Sequence, residues 1–274
     1  MAVDLLDFVT RCKRVAKQAL GRHAGEPASG GFARWVHLTI HCLRIEEEYT
    51  YREAANRLQY NGEVCDVLGI DSENVPEFTT IYRSFDRYVM RVWRALLHAS
   101  AQQLPRSGHA AIDSTFFDRF HASRHYATRA DRAVETLKAT ALVDTASQAV
   151  LDVQCTTNWR HDTVLGPQVA RRNAGDLLSL SADKGFDDTA LRDELRERGV
   201  RPLIRHRLFT PIDHAHNARI DAVLYGQRWM SETAFSTTKR SLGSAVRSRA
   251  WYREFREVVL LFAVHNIENA CESL

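Results

Sequence analysis

The spacing of apolar residues divides the chain into two parts. Up to residue 104 they recur every three or four positions, which is the period of amphipathic helices. From residue 109 onward they form short runs of strand length, and the stretch 102–108 (QQLPRSG) separates the two parts. The pattern therefore predicts a helical region over 1–104 and a mixed α/β region over 105–274.

The first region is predicted to consist of helices joined by short loops. The predicted helices cover residues 1–24, 32–47, 50–60, 64–68 and 81–99. Thr50 and Glu53 have the spacing of a capping box, and Asn61-Gly62 is a turn signal between two short helices. This order is helix-turn-helix-like, and a plain helical bundle explains it equally well.

The second region alternates strands with helices. Strands are predicted over 109–117, 137–143, 149–156, 177–182 and 202–205. Helices are predicted over 161–173, 187–198, 221–240 and 250–271. The first three strands can form an antiparallel meander, with a turn at 144–148 between the second and the third, and the predicted order of elements is βββαβαβαα.

Composition and charge agree with a globular protein that could bind nucleic acid. The chain has 274 residues, of which 45% are hydrophobic and 26% charged, and its net charge is +3. This mildly basic balance permits a nucleic-acid partner without requiring one, and most of the basic residues are arginines, which suit phosphate contacts. The five cysteines are scattered and no apolar run is long enough to span a bilayer, so we expect reduced thiols in a cytoplasmic protein.

Two aspartates follow predicted strands and are candidates for a site. Asp113 lies near the end of the first strand, and Asp183 comes directly after the fourth. In open α/β sheets, sites lie at the carboxyl ends of strands, so the two side chains would be neighbours if these strands were adjacent and parallel. Each aspartate alone is also typical of a strand-end turn or a helix cap.

The stretch 225–239 (YGQRWMSETAFSTTK) adds a third carboxylate. On one α-helix, its four chemically distinctive side chains would fall within roughly 60° of one another. They are Tyr225, Arg228, Glu232 and Lys239. A solvated helix face with an ion pair between Arg228 and Glu232 would look the same. Gly226 lies within the stretch, and a helix that begins there would place Tyr225 at its cap.

Together the three carboxylates favour a divalent-cation site. Asp113, Asp183 and Glu232 offer only oxygen ligands, which suit Mg²⁺ or Mn²⁺. Two such ions can stabilise the attacking and leaving oxygens of a phosphoryl transfer. The segment 239–256 carries six basic residues, including Arg240, and one acid. That excess suits a DNA backbone, although a solvated face would look similar.

Four motifs now carry a resemblance to a known family. They are AIDST (111–115), NWRHD (158–162), ADKGFDD (182–188) and Y-x₂-R-x₃-E-x₆-K (225–239). The chain resembles the DDE transposases of the IS4/IS5 insertion-sequence superfamily, of the IS5-like type, whose YREK signature the last motif matches at all four positions. The resemblance extends over residues 109–270, and more loosely to the helical DNA-binding region of the same enzymes.

The resemblance implies an RNase H-like catalytic domain in which three carboxylates hold two Mg²⁺ ions, with Mn²⁺ able to substitute. The implied catalytic and metal ligands are Asp113, Asp183 and Glu232. It also implies that the transposon-end DNA is handled by Tyr225, Arg228 and Lys239. The family's relatives carry a β-strand insertion before the glutamate, whereas here only about fifteen residues, 207–221, precede that helix.

The implied function is metal-dependent cleavage of DNA at terminal inverted repeats, followed by attack of the new 3′-hydroxyl on target DNA. No covalent enzyme intermediate is expected. The implied setting is a homodimer bound to double-stranded DNA on a prokaryotic nucleoid, with the helical region 1–104 binding the transposon ends. The alternatives are an RNase H-like nuclease without strand transfer and a domesticated or inactive transposase that only binds DNA.

Overall fold

The computed structural model describes residues 3–119 and 136–272 of the protein. Their contacts form two compact units. The helical unit extends to Leu104 and takes in the chain from Val259 onward, and the sheet unit is Pro105–Val258. All five cysteines are free thiols, as expected from their scattered positions.

Short and medium-length helices build the helical unit. They are α1 (Leu5–Leu20), α2 (Arg34–Glu46), α3 (Tyr51–Gln59), α4 (Gly62–Leu68), α5 (Phe78–Arg87) and α6 (Met90–Ala101). The capping box predicted before α3 is confirmed, because the Glu53 amide donates to Thr50 Oγ1 (3.2 Å) and the Thr50 amide donates to the Glu53 carboxylate (2.7 Å).

The single helix predicted over 81–99 is wrong, because the chain breaks between α5 and α6. Tyr88 and Val89 are extended there. The Trp93 indole donates to the Tyr88 carbonyl (3.1 Å), and the Tyr88 hydroxyl donates to the Arg34 carbonyl (2.8 Å). These contacts stabilise the break, which contains neither glycine nor proline. The local sequence therefore gives no signal of it.

A mixed sheet forms the centre of the second unit. Its strands are β1 (His109–Arg119), β2 (Thr136–Asp144), β3 (Val150–Thr156), β4 (Ser179–Ala182) and β5 (Arg201–Ile204). They lie in the order β3-β2-β1-β4-β5; β1 pairs antiparallel with β2 and β2 with β3, whereas β4 is parallel to β1 and β5 to β4. The expected five-stranded RNase H-like sheet is thus confirmed. A sixth strand of two residues, β6 (Ala245–Val246), pairs with the end of β1 and was not predicted, since two residues carry no periodic signal.

Helices accompany the sheet in the same unit. They are α7 (Asp162–Asn173), α8 (Thr189–Glu197), α9 (Pro211–Arg219), α10 (Ala222–Gly226), α11 (Trp229–Leu242) and α12 (Trp251–Glu272), the last of which continues into the helical unit. None of the helices within residues 3–119 and 136–272 has the length and hydrophobicity needed to cross a lipid bilayer.

The helix predicted over 221–240 is also wrong, because it is divided into α10 and α11 by a turn at Gln227 and Arg228. Helix α9 was not predicted at all. Its signals were present in the sequence: Thr210 and Asp213 form a capping box, and Pro211 occupies the first helical position.

Helices α7 and α11 cover opposite faces of the sheet. Successive side chains of a strand point to opposite faces. On β1, Ser114 contacts the first residue of α7, whereas Thr115 accepts a hydrogen bond from Lys239 of α11. The neighbouring strand β2 is buried along nearly its whole length, so it supports the part of β1 that carries the site.

Candidate active site

Two aspartates meet where β1 continues beyond the end of β4. Ile112 pairs with Ala182 in the last parallel pair of these strands, and Asp113 and Asp183 follow directly. Asp183 caps a short 3₁₀ turn, because its Oδ1 accepts the Gly185 amide at 2.8 Å. A Cβ at position 185 would lie 2.8 Å from that oxygen, so the turn needs glycine there.

Arg228 lies between the first aspartate and the glutamate. Its Nη2 donates to Glu232 Oε1 at 2.7 Å, and its Nη1 donates to Asp113 Oδ2 at 3.4 Å. Glu232 stands in the first turn of α11 with 56% of its side chain exposed, whereas 21% of the Asp113 side chain is exposed. One guanidinium therefore bridges two carboxylates of the predicted set.

Electrostatics link all three carboxylates. The pKa of Asp113 is raised to about 6, mainly by burial, and the negative charges of Asp183 and Glu232 contribute to this rise. The Ser114 amide and the Arg228 guanidinium act in the opposite direction. Because like charges converge here, the fully ionised set needs a positive counter-charge.

The donor chemistry of this set fits a hard divalent cation. All three ligands are carboxylates, and the exposed Glu232 side chain has room to turn toward the aspartates. In the described part of the chain, no three histidine, cysteine, aspartate or glutamate side chains are already arranged as a metal-binding group. Cation binding therefore requires the Glu232 carboxylate and the Arg228 guanidinium to rearrange.

The other predicted DNA-contacting residues are not on one stripe. Tyr225 is the second-last residue of α10, and its ring lies 4.4 Å from the Arg205 guanidinium. Lys239 donates to Thr115 Oγ1 (2.7 Å) and to the Phe116 carbonyl (2.8 Å), and burial lowers its pKa. Its ammonium thus binds β1. Arg240 is exposed.

The basic segment 239–256 is only partly available to a partner. Arg247 and Arg249 are exposed like Arg240, but Arg253 is buried, and Arg256 stacks on the Tyr252 ring at 5.1 Å. The sequence pattern of six basic residues therefore does not correspond to one continuous exposed surface.

Asp162 lies next to the site. The sequence pattern predicted it only as the start of a helix, and it is indeed the first residue of α7. Its Oδ1 accepts hydrogen bonds from Lys138 Nζ (2.8 Å) and Ser114 Oγ (2.5 Å). Its other oxygen lies 3.5 Å from where a Cβ of Gly185 would be, so it is close to the Asp183 turn. The signal that could have found it is the motif NWRHD, of which it is the last residue.

A cleft of about 770 Å³ opens beside Asp183. Cationic side chains dominate its lining, which includes Asp183, Lys184, Arg205, Arg207, Tyr225 and Arg228. Arg207 connects two segments beside the cleft. It donates to the Lys184 carbonyl (3.2 Å), and its Nη2 contacts His161 Nε2 (3.1 Å). A concave surface with four cations and one carboxylate suits a phosphate-bearing strand.

Close packing of Gly166 against Phe186 supports the Asp183 turn and yields a stability prediction. A Cβ on Gly166 of α7 would lie 2.6 Å from Phe186 Cδ1, and Phe186 is buried. We expect Gly166→Ala to lower the free energy of unfolding by roughly 1–3 kcal/mol, although alanine is the better helix former. Denaturant unfolding measures this change. Gly175→Ala is the matched control, because nothing lies within 4 Å of its added Cβ, and an equal loss there would contradict the packing argument.

Comparison with known proteins gives a family match for the chain. The family model for the transposase DDE domain matches residues 105–267, more than half of the chain. In structure, the chain is similar to piggyBac transposase in a synaptic complex with hairpin DNA, with a TM-score of 0.51 and 10% sequence identity. The match covers 100% of this chain and 75% of that one. At this identity the likeness concerns the fold alone, and no curated protein matches the chain in sequence.

Proposed function

Since the chain belongs to the transposase DDE domain family, we propose that it is an active insertion-sequence transposase. It binds the terminal inverted repeats of its element, cleaves DNA there and joins the ends to a target. The observation that carries this proposal is the convergence of Asp113, Asp183 and Glu232 beside a cationic cleft.

The three carboxylates would hold two divalent cations, Mg²⁺ or Mn²⁺. Such ions activate the attacking oxygen and stabilise the leaving oxygen of an in-line displacement at phosphorus. Asp113 has to be ionised to act as a ligand. Before a cation binds, Arg228 supplies the counter-charge for the ionised carboxylate. The cationic lining of the cleft attracts the DNA backbone to the space next to Asp183.

The distribution of charge supports a DNA contact made mostly by the sheet unit. Residues 105–258 carry 24 basic and 19 acidic residues, whereas the remaining chain carries 13 basic and 15 acidic residues. Phosphate contacts made by cations supply most of the sequence-independent affinity for DNA. The helical unit therefore contributes to recognition of the repeats through individual side chains. We further propose that two subunits bring two transposon ends together in the active complex.

The test is an assay of cleavage and joining. The purified protein is incubated with Mg²⁺, a labelled duplex made from the DNA that borders the coding sequence, and a supercoiled target plasmid. Cleavage that leaves a 3′-hydroxyl, followed by covalent joining to the plasmid, is the expected result. Cleavage without joining would identify a nuclease, and binding without either product would identify an inactive DNA-binding protein.

A further inference from the structure

Among the described residues that line the cleft, Arg205 is the arginine whose guanidinium makes no hydrogen bond or salt bridge. It follows β5, it is exposed, and its guanidinium lies 4.4 Å from the centre of the Tyr225 ring. Among the described residues, no hydrogen bond or salt bridge engages this guanidinium. Its five N–H donors are therefore available to a ligand.

The cations that the family resemblance assigns to DNA are already engaged. Arg228 binds Asp113 and Glu232, and Lys239 binds β1. Arg207 is bound to the Lys184 carbonyl and contacts His161. A phosphate group that enters the cleft consequently meets one guanidinium whose donors are all free.

Arg205 and Tyr225 belong to the lining that two cavities share. Both residues line the 770 Å³ cleft that contains Asp183, and both line a second cavity of about 410 Å³. Stacking on an aromatic ring orients a guanidinium and leaves the edge of its plane free for a bidentate contact. An arginine held in this way loses little further side-chain entropy when it binds an anion.

We propose that Arg205 binds a backbone phosphate of the DNA strand that lies in the cleft, and that Tyr225 is a positioning residue that acts through its ring. The proposal rests on the proposed function. The role that it assigns to Tyr225 depends on the aromatic ring and not on the hydroxyl group. It also supplies a DNA contact in a chain whose connection between β5 and α11 contains only the short helices α9 and α10.

The experiment measures DNA binding without metal, so that cleavage does not intervene. A short fluorescein-labelled duplex from the DNA bordering the coding sequence is titrated with the full chain in EDTA at several salt concentrations. The variants are Arg205→Gln, Tyr225→Leu, Tyr225→Phe and the double variant Arg205→Gln/Tyr225→Leu. Arg196→Gln is the matched control, because Arg196 is an exposed cation of α8 that is paired with Asp193 and lies outside the cleft.

We expect Arg205→Gln to weaken binding several-fold and to reduce the slope of log K against log salt by about one. Tyr225→Leu should weaken binding similarly, the double variant should lose no more than either single variant, and Tyr225→Phe should retain the wild-type slope. Arg196→Gln should match the wild type. Thermal unfolding of each variant establishes that the fold is intact.

Two results would overturn the proposal while leaving the transposase function standing. One is a wild type that binds the duplex and an Arg205→Gln variant that binds it with the same affinity and slope. The other is a Tyr225→Phe variant that loses as much affinity as Tyr225→Leu, which would assign the contact to the hydroxyl. A wild type that neither binds nor cuts the duplex would instead overturn the proposed function.

Discussion

Asp183→Asn should abolish DNA cleavage while leaving the protein folded. We expect the Mg²⁺-dependent cleavage rate to fall by roughly 10³-fold or more, equivalent to about 4 kcal/mol of lost transition-state stabilisation. The asparagine side chain has nearly the same size, and its oxygen can still accept the Gly185 amide that Asp183 accepts at 2.8 Å. It lacks the negative charge that makes a carboxylate a strong ligand for a divalent cation. Single-turnover cleavage of the labelled duplex measures the rate.

Asp188→Asn is the matched control for this substitution. Asp188 belongs to the same sequence motif and caps α8 by accepting the Ala190 amide at 2.9 Å. Asparagine caps helices as well as aspartate does, and Asp188 does not line the cleft. Cleavage by Asp188→Asn should therefore match the wild type. If Asp183→Asn cut DNA at the same rate as this control, Asp183 would not be part of the catalytic set.

The position of Asp183 at the end of β4 could be predicted because its signal is local, whereas Asp113, expected near the end of its strand, lies in the middle of β1. Apolar runs of strand length mark β1 and β4, and the polar residue that follows each run is Asp113 or Asp183. Parallel neighbours bring such ends together once the fold class is known. The helical spacing of 225–239 offered Glu232 as the third carboxylate and the family resemblance supported that choice, and its catalytic role remains a prediction.

Tertiary contacts decide the parts that the sequence did not reveal. The helix predicted over 221–240 divides at Gln227, whose side-chain oxygen accepts a hydrogen bond from Thr145 Oγ1 (2.9 Å) across the unit. Asp221 caps α10 through the Val223 and Leu224 amides. Periodicity records neither contact, and only Gly226 hinted at a break.

The residues around the three carboxylates were missed for a related reason. Arg205 precedes Tyr225 by twenty positions and reaches its ring only after β5 and α10 are in place. Lys138 and Asp162 form their ion pair between β2 and the start of α7. The position of an isolated cation or carboxylate in the sequence does not predict such a partner. Motif matching therefore identifies the carboxylates and Arg228, whose i,i+4 spacing anticipated its ion pair with Glu232. The contact of Arg228 with Asp113 and the other residues around the site require the fold.

A buried ion pair at the far end of β1 is expected to control stability. Arg119, the last described residue of β1, binds Glu254 of α12 through two hydrogen bonds of 3.0 and 2.9 Å. Only 6% of the arginine side chain and none of the glutamate side chain is exposed. Removing one partner of such a pair leaves the other charge buried without its counter-ion.

Glu254→Ala should consequently lower the free energy of unfolding by roughly 3–5 kcal/mol, measured by denaturant unfolding. The exposed pair of Arg196 and Asp193, with a similar contact distance of 2.7 Å, provides the control. Asp193→Ala should change stability by less than about 0.5 kcal/mol, because both partners stay in water. The double variant Arg119→Leu/Glu254→Leu should be more stable than Glu254→Ala, since apolar side chains can replace a buried pair once both charges are removed. If Glu254→Ala and Asp193→Ala had equal effects, burial would not be what makes the β1–α12 ion pair important for stability.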